Sequence, residues 1–369
     1  MIQRLLIAGG GTGGHIYPGV AVAEEVLARN PAARVLFIGS AHGLETRVLP
    51  RLGYELETIT VSRLKGGGLG ERLLGLLRIP VGMFQSWRAL RRLDPDVVLG
   101  VGGYASGPAL LAAWLTRRPV AVHEQNASPG LTNRALSRVA RAVLTGFEVA
   151  RDRFAHPERV RFVGNPLRRA VTDALGHADQ RPTPPPGRLR LLVFGGSQGA
   201  RFLNERVPPL LAALRAHSPT LELTVTHQTG AADEARCRTL YAELGLADVA
   251  TITPYIDDMP AAYAAADLAV CRAGALTIAE LTAVGLPAVL VPFPFAADNH
   301  QEANARVLGD AGAGRVVVQR DWDEAELVRW LAGLAQDPDQ LAAMSRAARA
   351  LARLDAAQAV VDQLEEVAR

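Results

Sequence analysis

At 369 residues the chain exceeds what one ordinary core organises, so two domains are expected. Apolar residues make up 49 %, and 40 basic residues against 37 acidic ones leave a formal charge of +3, which argues against a dedicated nucleic-acid binder. Two cysteines, Cys237 and Cys271, exclude a disulfide framework and a four-thiolate metal site and fit a reducing cytoplasm. Neither a signal peptide nor an apolar run near the ~20 residues that cross a bilayer is visible, so a soluble or membrane-surface chain is expected.

In the first half, Leu5 to Ala8 reads as a buried strand running into GGGTGGHIYPG, Gly9 to Gly19, and then a helix from about Val20 to Arg29. Further strands are expected near 35–38, 56–61, 97–101, 120–123 and 142–144, separated by helix-length segments, which implies a parallel, doubly wound sheet. Gly9, Gly11 and Gly14 satisfy G-x-G-x-x-G, but the second strand ends Phe37-Ile38-Gly39-Ser40 without the carboxylate that an NAD ribose needs. No G-K-[ST] follows, so a P-loop is excluded. What remains is phosphate or sugar binding by backbone amides, because five glycines in Gly9 to Gly14 exceed what a tight turn requires.

His15, at the end of this loop, reads either as a capping or packing residue or as a group that touches substrate. VGGYASGP, from Val101, is a second glycine corner, with Gly102, Gly103 and Tyr104. HEQN, His123 to Asn126, puts four polar residues at a strand's carboxyl end. Glu124 and His15 are therefore the acid–base candidates of this half, and the alternative for Glu124 is a loop-shaping hydrogen bond. Between these corners, Leu69 to Leu93 mixes leucine and aromatic residues with five arginines around Pro80. It reads as an amphipathic helix facing the core or as one that docks on an anionic bilayer, and its own pattern favours the core.

A linker is expected between Asn165 and Gly187, which includes the Pro-rich RPTPPPG. The second half repeats the architecture: a strand over Leu189 to Phe194, the loop GGSQGA, a helix to about Ala216 kinked at Pro208-Pro209, and strands near 221–226, 250–253, 268–270, 288–291 and 315–318. Helices are expected over Glu324 to Leu334, Pro338 to Arg353 and Asp355 to Arg369. The stretch Ala266 to Gln301 carries the clearest chemistry. A helix beginning near Ala275 directly after a buried strand points unpaired N–H groups and a positive dipole end at the sheet edge, a diphosphate site. Gly274 permits close approach, Thr277 adds a hydroxyl, and Glu280, one turn further in, suits a ribose diol. The D-x-x-Q of Asp298 and Gln301 shares one helix face if a helix starts at Asp298.

GGGTGGHIYPG, VGGYASGP, HEQN, VGNPLR, GGSQGA, YIDDM, CRAGALTIAE and the D-x-x-Q after VPFPF stand in the order found in the MurG family, which this chain resembles from Gly9 to Gln301. Members of that family transfer N-acetylglucosamine to make lipid II in peptidoglycan synthesis. The resemblance implies an α/β chain of GT-B fold, two Rossmann-like doubly wound parallel-sheet domains facing a cleft. It implies an acceptor-binding, membrane-associating domain over 1–165 and a UDP-GlcNAc-binding domain over 166–345. A C-terminal segment, 346–369, would pack back on the first domain.

Carried over, Ile256 would meet the uracil. The run Ala275, Leu276, Thr277, Ile278, Ala279 and Glu280 would hold diphosphate and ribose, helped by Ser197 and Arg168. Gln301 and Asn126 would reach the sugar. Thr12, Gly13 and Gly14 would serve donor sugar and acceptor diphosphate, within an acceptor loop set that includes Gly10, Gly11, Gly102, Gly103 and Tyr104.

The reaction would be a metal-independent inverting displacement by the C4 hydroxyl of the MurNAc of lipid I, with His15 as base and Glu124 as its orienting partner or the base itself. No cofactor or metal is implied. Leu73, Leu76, Ile79, Phe84, Trp87 and Trp114 would form a membrane patch, reversing the core preference above and placing the protein peripherally on the cytoplasmic face. An assembly of cell-wall synthesis proteins is a further implied partner. Alternatives are another GT-B enzyme with a different nucleotide sugar or lipid, a non-catalytic nucleotide-sugar binding protein, or a hydrolysing or epimerising enzyme.

Overall fold

The computed structural model describes residues 1–61, 69–175 and 182–369, with the main chain alone for 69–77 and 175. The Gly66–Gly68 loop and Arg181 lie outside the described residues. Two compact units are present: Met1–Ala170 with Arg353–Arg369, and Val171–Ala352.

In the first unit the chain runs β1 (Arg4–Gly9), α1 (Gly13–Arg29), β2 (Arg34–Ser40), α2 (Glu45–Arg51), β3 (Glu55–Ile59), α3 (Leu69–Leu93), β4 (Val97–Gly102), α4 (Ser106–Leu115), β5 (Val120–Glu124), α5 (Leu131–Leu136), β6 (Ala142–Thr145) and β7 (Val160–Phe162). The seven strands pair in the order β3-β2-β1-β4-β5-β6-β7. Every pairing is parallel. Sequence reasoning missed β7, a three-residue edge strand of which only Val160 is buried. Strands such as β4 are buried along their whole length because helices cover both faces, which is why they read as apolar runs rather than alternations.

The helix after β1 begins seven residues earlier than its apolar pattern suggests, at Gly13 rather than Val20. Pro18 sits inside it and removes one intrahelical bond, yet the helix continues, since Ile16, Val20 and Val22 already bury one side against the sheet.

In the second unit, after α6 (Arg169–Leu175) at the boundary, come β8 (Arg188–Phe194), α7 (Arg201–His217), β9 (Glu222–Gln228), α8 (Glu234–Glu243), β10 (Ala250–Thr253), α9 (Met259–Ala265), β11 (Leu268–Cys271), α10 (Ala275–Val284), β12 (Ala288–Leu290), α11 (His300–Asp310), β13 (Gly314–Val316), α12 (Glu324–Gln336) and α13 (Pro338–Ala350). The sheet order is β10-β9-β8-β11-β12-β13, again parallel throughout. One helix, α7, spans Pro208-Pro209. The chain then returns to the first unit as α14 (Ala356–Ala368), whose Val360, Val361 and Leu364 join the core that also holds Val20, Ala23 and Val26 of α1. Among the described residues no helix is long and apolar enough to cross a membrane.

Candidate active site

In parallel sheets ligands gather at the carboxyl ends of the strands, and the predicted residues of each unit fall there. In the first unit the loops after β1 and β4 pack backbone on backbone. A Cβ on Gly103 would stand 2.4 Å from the Gly10 carbonyl oxygen, so only glycine fits. Gly10 donates its N–H to Gly102 O at 3.3 Å. Buried Ser106 ties the two loops together by donating to Ala8 O at 2.7 Å, with Gly102 O also in range at 2.8 Å. Gly11 donates to the carboxylate of Glu45 at 2.7 Å.

Gly10 and Gly11 thus spend their N–H groups inside the protein, which leaves them a shaping part in the expected acceptor loop. The amides left at this edge are those of Gly13 and Gly14, the first residues of α1, where a helix lacks internal acceptors. β2 itself ends without a carboxylate, and one reaches its end from α2 instead. Glu45, at the start of α2, is fully buried and bonds Ser40, so its charge serves the protein's own amides rather than a ribose. Nothing in the periodicity marks it; the only signal is the glycines at 39 and 43 that make room for it.

His15 occupies the first turn of α1, half-buried, with Nδ1 3.1 Å from Thr12 Oγ1. Its ring lies over Gly102, where a Cβ would come within 2.8 Å of Nε2 and 3.7 Å of Asn133 Nδ2. That Asn133 amide donates to Glu124 Oε2 at 2.9 Å, so His15 and Glu124 are neighbours across one glycine and one asparagine.

The Glu124 carboxylate is saturated. Oε1 accepts the N–H of Asn126 at 2.9 Å and its Nδ2 at 3.1 Å, while Oε2 also accepts Gly130 N–H at 3.0 Å. An acid holding four donors is built to shape a loop and aim Asn126, so of its two expected roles the geometry favours orientation over proton transfer. Beside it His123 is wholly buried, its Nε2 3.0 Å from Gly164 O and its Nδ1 facing Gln125 Nε2 at 3.0 Å; burial pushes its pKa down to about 4. Tyr104 is exposed. Arg168 belongs to this unit, with its guanidinium 4.8 Å from the Tyr17 ring centroid.

In the second unit α10 begins at Ala275 as expected, with Gly274 as N-cap and no side-chain cap hydrogen bond among the described residues. The amides of Ala275, Leu276 and Thr277 therefore face the strand edge. The turn before them is fixed from α11, as Gln301 Oε1 accepts the N–H of Ala273 at 3.3 Å and of Phe293 at 2.9 Å. Fully buried Asn304 donates to Ala273 O at 3.1 Å. With its carbonyl so engaged, Gln301 offers a ligand its amide N–H groups.

Asp298 does not share a helix face with Gln301. The helix starts at His300, and Asp298 and Asn299 precede it with left-handed φ of +53° and +52°. Arg272, half-buried, bonds the carbonyls of Val291 and Pro292 and the side chain of Gln319, with no carboxylate partner among the described residues. Its charge thus adds to the helix dipole in front of α10. A hollow of about 550 Å³ opens here, lined by Gly195, Gly199, Arg272, Phe293, Phe295 and Gln301.

Glu280 accepts from Tyr263 Oη at 2.7 Å. Ile278 packs into the core, Ala279 is half-buried, Ile256 lies in the loop after β10, and Ser197 is exposed in the loop after β8. No motif or periodicity marks Asn304 or Tyr263. On α3, Leu73 and Leu76 fall where only the main chain is described. Ile79 is half-buried, and Phe84, Trp87 and Trp114 are exposed. The stripe that α3 turns inward is instead Ser86, Ala89, Leu90 and Leu93.

The glycosyltransferase family 28 N-terminal domain matches residues 5–145, and the glycosyltransferase family 28 C-terminal domain matches residues 190–360. A UDP-N-acetylglucosamine–N-acetylmuramyl-(pentapeptide) pyrophosphoryl-undecaprenol N-acetylglucosamine transferase from Anaeromyxobacter dehalogenans is 49 % identical over 370 residues, covering 100 % of this chain and 94 % of that one. Its namesake from Geobacter metallireducens is 46 % identical over 98 % of both chains. Among solved structures, the crystal structure of Acinetobacter baumannii MurG superposes with a TM-score of 0.79 at 34 % identity, over 99 % of each chain. The two parallel-sheet units are those of the GT-B fold, and the chain belongs to the MurG family of glycosyltransferase family 28.

Proposed function

We propose that the protein transfers N-acetylglucosamine from UDP-GlcNAc to the C4 hydroxyl of the MurNAc of lipid I, giving lipid II. The observation that carries this reading is the uncapped N-terminus of α10 behind a turn clamped by Gln301 and Asn304, with Glu280 further along the helix. A diphosphate is received by the amides of Ala275 to Thr277, the ribose diol by Glu280, the uracil at Ile256, and sugar hydroxyls by the Gln301 amide. Ser197 and Arg168 add contacts to the diphosphate, and Asn126, aimed by Glu124, adds one to the sugar.

His15 is the base. With Nδ1–H donating to Thr12 Oγ1, Nε2 takes the proton of the attacking hydroxyl as the anomeric carbon inverts. Charge growing on the leaving UDP is offset by the α10 dipole and Arg272, without a metal. Gly13 and Gly14 face the acceptor's diphosphate, beside Gly102, Gly103 and Tyr104.

The protein sits peripherally on the cytoplasmic membrane through α3 and α4. There Phe84 stacks on Trp87, Arg91 lies over Trp87, and Trp114 and Leu115 are exposed. It serves the unit with residues 1–165 as acceptor and membrane side and residues 166–345 as donor side, and it works beside other cell-wall synthesis proteins. The test is UDP release from UDP-GlcNAc with and without a lipid I analogue in excess EDTA. Acceptor-dependent release with a disaccharide product is expected; release without acceptor, or tight binding without turnover, would overturn the reading.

A further inference from the structure

Glu45 is a carboxylate with no measurable exposure and no ion-pair partner among the described residues. Burying such a charge is costly unless donors replace its water. Here they do: Oε2 accepts Gly11 N–H at 2.7 Å, and Oε1 accepts Ser40 N–H and Ser40 Oγ–H, each at 2.8 Å. Its cradle is made of glycine. A Cβ on Gly10, Gly39 or Gly43 would stand 2.4, 2.6 or 2.0 Å from its side chain.

The bond to Gly11 has a geometric consequence. A trans peptide holds its N–H and C=O antiparallel, so turning the Gly11 N–H toward Glu45 turns the Gly10 carbonyl the other way, against Gly103. That orientation needs φ of +149° at Gly10 and +92° at Gly11, and it sets where α1 begins two residues later. His15, in the first turn of α1, rests on Gly102, the neighbour of Gly103.

We infer that Glu45 is a positioning residue for the acceptor half-site: by holding the Gly10–Gly11 peptide, it aims the Gly13 and Gly14 amides and His15 at the lipid-linked sugar. The inference rests on the function proposed above. It predicts an effect confined to the acceptor side, because the donor-binding amides of α10 lie in the other unit.

The test is steady-state UDP release by Glu45→Gln, with UDP-GlcNAc and a lipid I analogue varied in turn. Gln keeps the volume but sets an N–H donor against the N–H of Gly11 or Ser40. A drop of tenfold or more in kcat/KM for the acceptor is expected, with KM for UDP-GlcNAc within twofold. Glu45→Asp, which keeps the charge but falls a methylene short, should recover part of the loss. An equal rise in KM for both substrates, or no change in kcat or either KM, would overturn the inference.

Should Glu45→Gln not fold, Gly11→Ala decides. Its Cβ meets nothing within 4 Å, so it perturbs the same peptide with Glu45 in place and should show the same one-sided loss. A wild-type protein without acceptor-dependent release would refute the proposed reaction instead. In that event amide exchange still reads the device: the Gly11 N–H should be protected in the wild type and exchange at least tenfold faster in Glu45→Gln, and unchanged protection would overturn it.

Discussion

The two glycine loops do the same local work by different means. The loop after β1 is held by a charge: Glu45 pins Gly11 from behind, and a Cβ on Gly11 would face open space. The loop after β8 is held by crowding, backed by a hydrogen-bonded chain in which Asn204 also donates to the Asp233 carboxylate at 3.0 Å. Gly199, at φ +72°, would place a Cβ 1.8 Å from the Thr229 carbonyl oxygen. Behind Thr229, Asn204 donates to its carbonyl at 2.9 Å, His227 Nε2 lies 3.1 Å from Asn204 Oδ1, and His227 Nδ1 lies 3.0 Å from Tyr241 Oη. A left-handed glycine pattern therefore says that a loop is tight, and leaves open whether packing or electrostatics keeps it so.

Substitution at the glycines breaks the comparison most sharply. Gly199→Ala should cost about 3 kcal/mol or more, because the clash is with backbone. Gly11→Ala, strained but unobstructed, should cost only about 1 kcal/mol. Urea unfolding of both variants checks this, and equal losses would abolish the distinction.

Acid comes next. Burial holds His227 at a pKa of about 3 and His123 at about 4, while the unfolded chain titrates near 6.5. Below 6.5 the unfolded state binds protons that the folded state refuses, so stability falls as pH drops toward 4. Each histidine should cost about 2 kcal/mol at pH 5. Urea midpoints at pH 7 and pH 5 measure the sum, and His227→Gln should flatten the slope.

Removing the clamp on α10 tests whether polar fixation matters as much in front of the donor helix. Asn304→Ala should destabilise by about 1–2 kcal/mol through the orphaned Ala273 carbonyl and weaken UDP binding in calorimetry. Smallest should be Tyr263→Phe, which deletes one hydrogen bond to Glu280 for about 1 kcal/mol and shifts UDP affinity a few-fold at most.

Much of this was legible in the residues. Apolar runs separated by helix-length segments located most of the strands, and a helix placed directly after β11 located its own amide cluster at Ala275. What escaped was set by contacts distant in sequence. Glu45 meets Gly11 across 34 residues, and Asn304 meets Ala273 across 31. No periodicity encodes such pairs. The early start of α1 escaped because glycine and proline argue against a helix locally, and only burial against the sheet overrides them. The D-x-x-Q spacing misled for the opposite reason: it fits a helix face, yet two left-handed residues stand before the helix.

The return of α14 to α1 carries a consequence for the order in which the molecule is made. Val360, Val361 and Leu364 complete the core of the first unit, and Arg29 on α1 pairs with Asp362 at 2.6 Å. During synthesis the ribosome releases residues 1–170 first, but the strands that await α14 stay partly uncovered until all of 171–352 has emerged. The unit that is translated first is thus the one that matures last, and its exposed apolar side in the interval is where a nascent-chain chaperone would find purchase.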